Sequence, residues 1–79
     1  DIMQTRKKSE TDLALEILAE RLEPVFYDEL CREIAKRMGK PTEVNVLSSI
    51  YTRINLDKRL IYQGEGYWYY DASKIYREV

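Results

Sequence analysis

The chain contains no histidine, and this absence excludes the common metal clusters and the histidine-based catalytic triads. Its one cysteine, Cys31, has no partner for an internal disulfide and fits a reducing, cytoplasmic setting. Cys31 lies on an apolar helical face, which favours a buried thiol over a nucleophile. The three glycines form no phosphate-binding loop or dinucleotide fingerprint. No apolar run approaches the roughly 20 residues that span a bilayer. We therefore expect no metal, cofactor, catalytic centre or membrane segment.

An excess of positive charge is also lacking, because 13 basic residues stand against 14 acidic ones and give a formal net charge of −1. A general binder of nucleic acid needs a net basic surface, so any such contact here must come from local clustering. The one basic run is Arg6, Lys7 and Lys8. It lies in residues 1–9, which we expect to form a flexible arm that either contacts phosphate or is only solvated. Residues 10–79 are expected to form a single domain.

Two amphipathic helices are predicted in the first half of the chain. Ser9 followed by Asp12 resembles a capping box for helix 1, and Pro24 ends that helix because it has no N–H to donate. Helix 2 is predicted over residues 27–38, with Gly39 as the left-handed residue that follows it.

The third helix carries the candidate recognition surface, and Thr42 is predicted as its N-cap. The residues expected in the core recur at steps of three and four: Leu47, Ile50, Tyr51 and Ile54, with Val44 or Val46 completing the face. Leu56 is expected to pack where the helix ends. The opposite face is polar and carries Asn45, Ser48, Ser49, Thr52, Arg53 and Asn55. Such side chains are able to hydrogen-bond base edges in a groove, although any solvent-facing surface has the same composition.

A β-hairpin, the wing, is predicted directly after the third helix. Residues 60–62 and 67–70 are apolar or aromatic, with the β-branched Ile61 among them, and Gly64 and Gly66 lie in the turn between them. The segment Val25–Phe26 is expected to be extended and to add a short strand beside the hairpin. Three helices followed by a two-stranded hairpin make an α+β fold of the winged helix-turn-helix class. Proteins of this class usually handle nucleic acid or its polymerases.

Alternation along the second wing strand places Tyr67 and Tyr69 on one face and Trp68 and Tyr70 on the other. One of these pairs is expected to be partly exposed, as aromatic residues are at partner surfaces and beside stacked bases. The competing interpretation is that Trp68 packs on the C-terminal segment, against Ile75 or Tyr76.

With these segments in place, the chain resembles the HARE-HTH family, whose bacterial representative is the N-terminal domain of the RNA polymerase delta subunit. Residues 51–60 are similar to a family pattern of Tyr-Thr, Asn and Asp that leads to Arg and an apolar residue. Residues 24–30 resemble the family's entry to helix 2, and residues 14–22 resemble its first helix. The chain departs from the family at Lys58, where glycine is common, and at Tyr67, where tryptophan is.

The resemblance implies a non-catalytic, transcription-associated module that docks on RNA polymerase core. The docking surface predicted for this function combines Trp68 and Tyr70 with the nearby Lys58 and Arg59. The alternative is a module that binds duplex DNA. In that case the major groove would receive Asn45, Ser49, Thr52 and Arg53, and phosphate would be held by Lys40, Lys58, Arg59 and the arm Arg6, Lys7 and Lys8. The chain is expected to be monomeric alone, and a homodimer through the aromatic wing is a weaker third hypothesis.

Overall fold

The computed structural model describes residues 8–72, so the predictions made for Arg6, Lys7, Ile75 and Tyr76 lie outside the described residues. Six elements follow one another along the chain: α1 (Glu10–Arg21), β1 (Val25–Phe26), α2 (Tyr27–Arg37), α3 (Val44–Leu56), β2 (Leu60–Gly64) and β3 (Tyr67–Tyr70). The predicted α+β fold of three helices followed by a β-hairpin is confirmed, in a winged helix-turn-helix arrangement. No helix within residues 8–72 is long and apolar enough to cross a membrane.

Helix α1 begins and ends as its sequence predicts. The Asp12 N–H donates to Ser9 Oγ at 3.1 Å, and the Ser9 N–H donates back to Asp12 Oδ2 at 3.3 Å, which completes the capping box. At the other end, Leu22 has a left-handed backbone with φ of 58°, and its N–H donates to the Leu18 carbonyl. Pro24 follows and prevents the helix from continuing.

Helix α2 ends at Arg37, one residue before the prediction, and Gly39 has the expected left-handed backbone with φ of 72°. The Arg37 side chain ties α2 to α1. Its guanidinium lies 2.8 Å from a Glu20 carboxylate oxygen, 3.4 Å from Glu16 and 3.1 Å from Glu33. These contacts raise the pKa of Arg37, chiefly through the hydrogen bond with Glu20. Each such exposed pair contributes about 0–1 kcal/mol, so the network orients the two helices more than it stabilises them.

Two predictions about α3 are wrong. Its N-cap is Glu43, whose carbonyl accepts the Leu47 N–H at 2.9 Å, so Thr42 lies one residue outside the cap. Leu56 is 76% exposed, because it lies about 200° around the helix axis from Ile54, which is fully buried, and therefore points away from the core. Of the two residues that were alternatives for completing the core face, Val46 packs against the core, which confirms that prediction, and Val44 is 77% exposed.

The wing belongs to a three-stranded antiparallel sheet with the order β1-β3-β2. Val25 pairs with Trp68, which confirms the expected short strand beside the hairpin. The hairpin turns through Glu65 and Gly66, whose φ angles of 56° and 87° are the positive values that a type I′ turn requires. A bulge between Tyr62 and Gly64 precedes the turn.

One core joins the helices to the sheet, with α1 packed on both other helices and the wing closing the end of the bundle. Its buried members come from all six elements: Leu13, Ala14, Ile17, Leu18, Val25, Leu30, Cys31, Ile34, Ala35, Ile50, Ile54, Leu60 and Trp68. No polar or charged residue among residues 8–72 is buried.

Candidate binding surface on the third helix and the wing

The outer face of α3 is exposed along its whole length. It consists of the predicted Asn45, Ser48, Ser49, Thr52, Arg53 and Asn55, together with Val44 and Leu56. Arg53 alone among these residues carries a formal charge, although 34% of the chain is charged. Sequence reasoning missed Leu56, and the signal that would have placed it here is its angle around the helix axis. The outer face of α3 therefore carries a single charge, that of Arg53 at its edge, and has an exposed apolar residue at each end.

Part of this polar surface is already satisfied by the helix itself. Thr52 Oγ1 donates to the Ser48 carbonyl at 3.0 Å, and Asn55 Nδ2 donates to the Tyr51 carbonyl at 3.1 Å. Bonds of this kind use the donors that would otherwise reach a base edge or a partner. The side chains of Asn45 and Ser49 make no hydrogen bond within residues 8–72, and both line a cleft with Lys40.

Most cations near this face are paired with carboxylates. Arg53, at the flank of α3, lies 3.6 Å from Glu10, and Lys8 pairs with Glu16. Within residues 8–72, seven of the nine lysine and arginine side chains form ion pairs; the two that form none are Lys40 and Lys58. The phosphate-binding set predicted from the sequence is thereby reduced to two free cations in this part of the chain.

Arg59 is held in a structural clamp between α3 and the wing. Its Nη2 lies 2.7 Å from Asp57 Oδ2, its Nε lies 2.9 Å from Asp57 Oδ1, and its backbone N–H donates to the same Oδ1. Arg59 also approaches Asp12 at 3.5 Å, so the clamp reaches α1. The hydrogen bonds from the Arg59 side chain lower the pKa of Asp57 to about 2, and those to Asp57 raise the pKa of Arg59. Arg59 is half-buried and fixes the wing.

The predicted patch of Trp68 and Tyr70 is not a surface patch. Trp68 is 5% exposed and lies against the rings of Tyr51 and Tyr62, at centroid distances of 6.0 Å and 5.2 Å. The expectation that its ring meets a partner is wrong, because pairing with Val25 turns this side of β3 toward the helices. Its indole N–H finds no hydrogen-bond acceptor within the described residues. Tyr70, on the same side of the strand, is half-buried.

The aromatic side chains that do reach solvent come from the opposite side of the sheet and from the start of α2. Tyr67 is 43% exposed, and its ring lies 5.4 Å from that of Phe26, which is also exposed. Phe26 in turn contacts Tyr27 at 4.8 Å, and Tyr27 contacts Tyr51 at 5.3 Å. Sequence reasoning identified that one aromatic pair would be exposed but chose the wrong pair.

Titratable groups offer little chemistry in this part of the chain. Among residues 8–72, no three side chains of the His, Cys, Asp or Glu types are grouped so as to hold a metal ion. Burial raises the pKa of the Cys31 thiol to about 11, and the nearby charge of Asp28 adds to the effect. The thiol is therefore protonated at neutral pH and packed in the core.

No protein family, curated protein or solved structure matches this chain. The functional argument consequently depends on the geometry of the surfaces described above.

Proposed function

We propose that this chain is a non-catalytic docking module that binds a protein partner of the transcription machinery through the outer face of α3. The observation that carries the proposal is the low formal charge of that face, on which Arg53, paired with Glu10, is the only charged residue in a chain of which 34% is charged. Charged residues are depleted at the centres of protein interfaces, because a charge loses its hydration when a partner covers it. Val44 and Leu56 supply exposed apolar contacts at the two ends of the face.

The resemblance to the HARE-HTH family supports RNA polymerase core as the partner and the cytoplasm as the location. It also supports a role in which the module contributes contacts and no reaction. The face of α3 replaces the Trp68 and Tyr70 patch in this proposal, since Trp68 is in the core.

The test introduces a charge at each end of the face without disturbing the helix. Val44→Glu places an acid in the first turn and Leu56→Lys places a base in the last turn, as the helix dipole prefers. We expect each change to weaken binding to purified bacterial RNA polymerase core at least tenfold in a calorimetric titration, about 1.4 kcal/mol. Ala19→Lys, at an exposed position of α1, is the control and should leave the affinity unchanged. No binding by the unmodified chain, or equal losses in all three variants, would rule the proposal out.

Duplex DNA is the second candidate, and the position of the two free cations favours it. Lys40 lines the cleft that contains Asn45 and Ser49, and Lys58 lies just beyond the end of α3. Exposed ion pairs are weak enough for Arg53 to exchange Glu10 for a phosphate. This candidate requires binding to a random-sequence duplex that weakens steeply as salt rises. It also requires a Lys40→Gln, Lys58→Gln variant to lose that binding, whereas the polymerase complex should keep its affinity.

A further inference from the structure

The outer side of the sheet forms a second surface, which shares no residue with the outer face of α3. Register places four side chains on it, opposite the buried Val25, Leu60 and Trp68: Phe26, Ile61, Tyr67 and Tyr69. We call these four residues the wing face. Phe26, Ile61 and Tyr67 are exposed, whereas Tyr69 is half-buried and packs against the core, so the exposed part of the wing face is the apolar and aromatic surface of the first three residues.

A cleft of about 400 Å³ adjoins the wing face at Tyr67. Its other lining residues come from the segment before β1 and from the hairpin turn: Glu23, Pro24, Gln63, Gly64 and Glu65. The only charged groups in this lining are two carboxylates, and both belong to exposed residues. The cleft lining that includes Tyr67 thus carries two negative charges and no positive charge.

These carboxylates differ from most others in the molecule. Within residues 8–72, at least eight of the twelve acidic side chains form ion pairs with lysine or arginine, whereas Glu23 and Glu65 form none. The surface that combines exposed rings with uncompensated negative charge therefore complements a group that is both cationic and able to stack. A guanidinium has these two properties, because it is planar and weakly hydrated and pairs readily with carboxylates.

We infer that the wing face and its cleft bind an arginine-bearing segment of a protein partner. The arginine enters the cleft between Glu23 and Glu65 and stacks on Tyr67, and an apolar neighbour of that arginine covers Phe26. The site is independent of the proposed function: it stands if α3 binds nothing, and its failure leaves the α3 proposal intact.

The test uses the full 79-residue chain and a capped heptapeptide with arginine at its centre and leucine on both sides. Titration by two-dimensional NMR should shift the amide signals of Phe26 and of residues 64–67 and leave those of α3 unchanged. A peptide with lysine in place of arginine should bind at least threefold more weakly, and one with glutamine at least tenfold more weakly. Shifts located elsewhere, no shifts, or equal affinity for the lysine peptide would overturn the inference.

Two double variants separate the site from bulk charge. Glu23→Gln with Glu65→Gln should weaken binding of the arginine peptide at least tenfold. Glu29→Gln with Glu43→Gln removes the same net charge from exposed positions outside the cleft and should change the affinity less than twofold. Equal losses in the two variants would show general charge attraction and refute the site. Thermal melting of each variant establishes that the fold is intact, and Glu→Gln at residue 65 keeps a side chain of similar shape in the turn.

Discussion

Among the three glycines, Gly66 is the one at which an added Cβ would clash with neighbouring side chains. A Cβ at this position would lie 2.6 Å from Cε1 of Phe26 and 3.2 Å from Cδ1 of Tyr27, well inside van der Waals contact. Its φ of 87° is also in the region that side-chain-bearing residues avoid. Gly66→Ala therefore adds two costs, backbone strain in the turn and displacement of the Phe26 ring from its place over that turn.

The two costs are separable with Gly64, the neighbouring glycine of the hairpin. Gly64 has a φ of 96°, yet a Cβ there would meet nothing within 4 Å. Left-handed strain costs about 1–2 kcal/mol for a residue with a side chain, offset by about 0.4–1 kcal/mol because alanine restricts the unfolded chain. We expect Gly64→Ala to lower the free energy of unfolding by about 1 kcal/mol. Overpacking adds about 1–2 kcal/mol, so Gly66→Ala should cost about 2–3 kcal/mol.

For both variants, urea denaturation measures the free energy of unfolding and thermal melting measures Tm, each followed by circular dichroism. At about 4–8 °C per kcal/mol for a domain of this size, Gly66→Ala should lower Tm by about 10–20 °C and Gly64→Ala by about 5 °C. In a Phe26→Ala background the extra cost at residue 66 should largely disappear, since the clashing ring is gone. Equal costs for the two alanines, or an extra cost at residue 66 that persists without Phe26, would refute the reasoning.

Three further predictions concern the core, the clamp and the end of α1. The fluorescence of Trp68, the only tryptophan, should be protected from iodide quenching. Trp68→Ala should lower the free energy of unfolding by about 3–5 kcal/mol, a large part of the roughly 4–12 kcal/mol expected for a domain of this size. Quenching as efficient as that of free tryptophan would contradict its burial. Because the pKa of Asp57 is depressed to about 2, its pairing with Arg59 stabilises the fold fully above about pH 4 and is lost as pH falls toward 2. After allowance for solvent screening, Asp57→Asn should therefore lower the free energy of unfolding by about 1 kcal/mol at pH 7, and by less at pH 2, in urea titrations. An equal loss at both pH values would be inconsistent with the clamp. Leu22 is 71% exposed and has a left-handed backbone, so Leu22→Asn should raise the free energy of unfolding by about 0.5–1 kcal/mol. Leu56→Asn, at a similarly exposed but helical position, should not raise it. If thermal melting shows that both variants are less stable, no strain resides at Leu22.

Local chemistry explains which features were predictable from the sequence. The capping box of Ser9 and Asp12 and the left-handed Gly39 each depend on residues a few positions apart, so short-range rules identify them. The exposed small polar residues of α3 follow from the helical period in the same way. The helical period also places Leu56 outside, and at this position it outweighs the general tendency of apolar residues to be buried.

The features that escaped prediction depend on contacts between distant segments. Alternation separates Trp68 from Tyr67, but only the pairing of β3 with β1 decides which of the two faces the helices. Arg59 reads as a free cation in the sequence, and only the folded chain brings it to Asp57 and Asp12. The same holds for the cleft between Glu23 and Glu65, whose two sides come from segments about 40 residues apart.

The two-residue strand β1 has a consequence for how the domain assembles. By pairing Val25 with Trp68, it joins positions 43 residues apart, and α2 and α3 lie inside the loop that this pairing closes. Closing so long a loop carries an entropic cost, so we expect the hairpin to dock after the helices have packed. A fragment ending after α3 would leave the apolar underside of the bundle open to water and would not hold its shape.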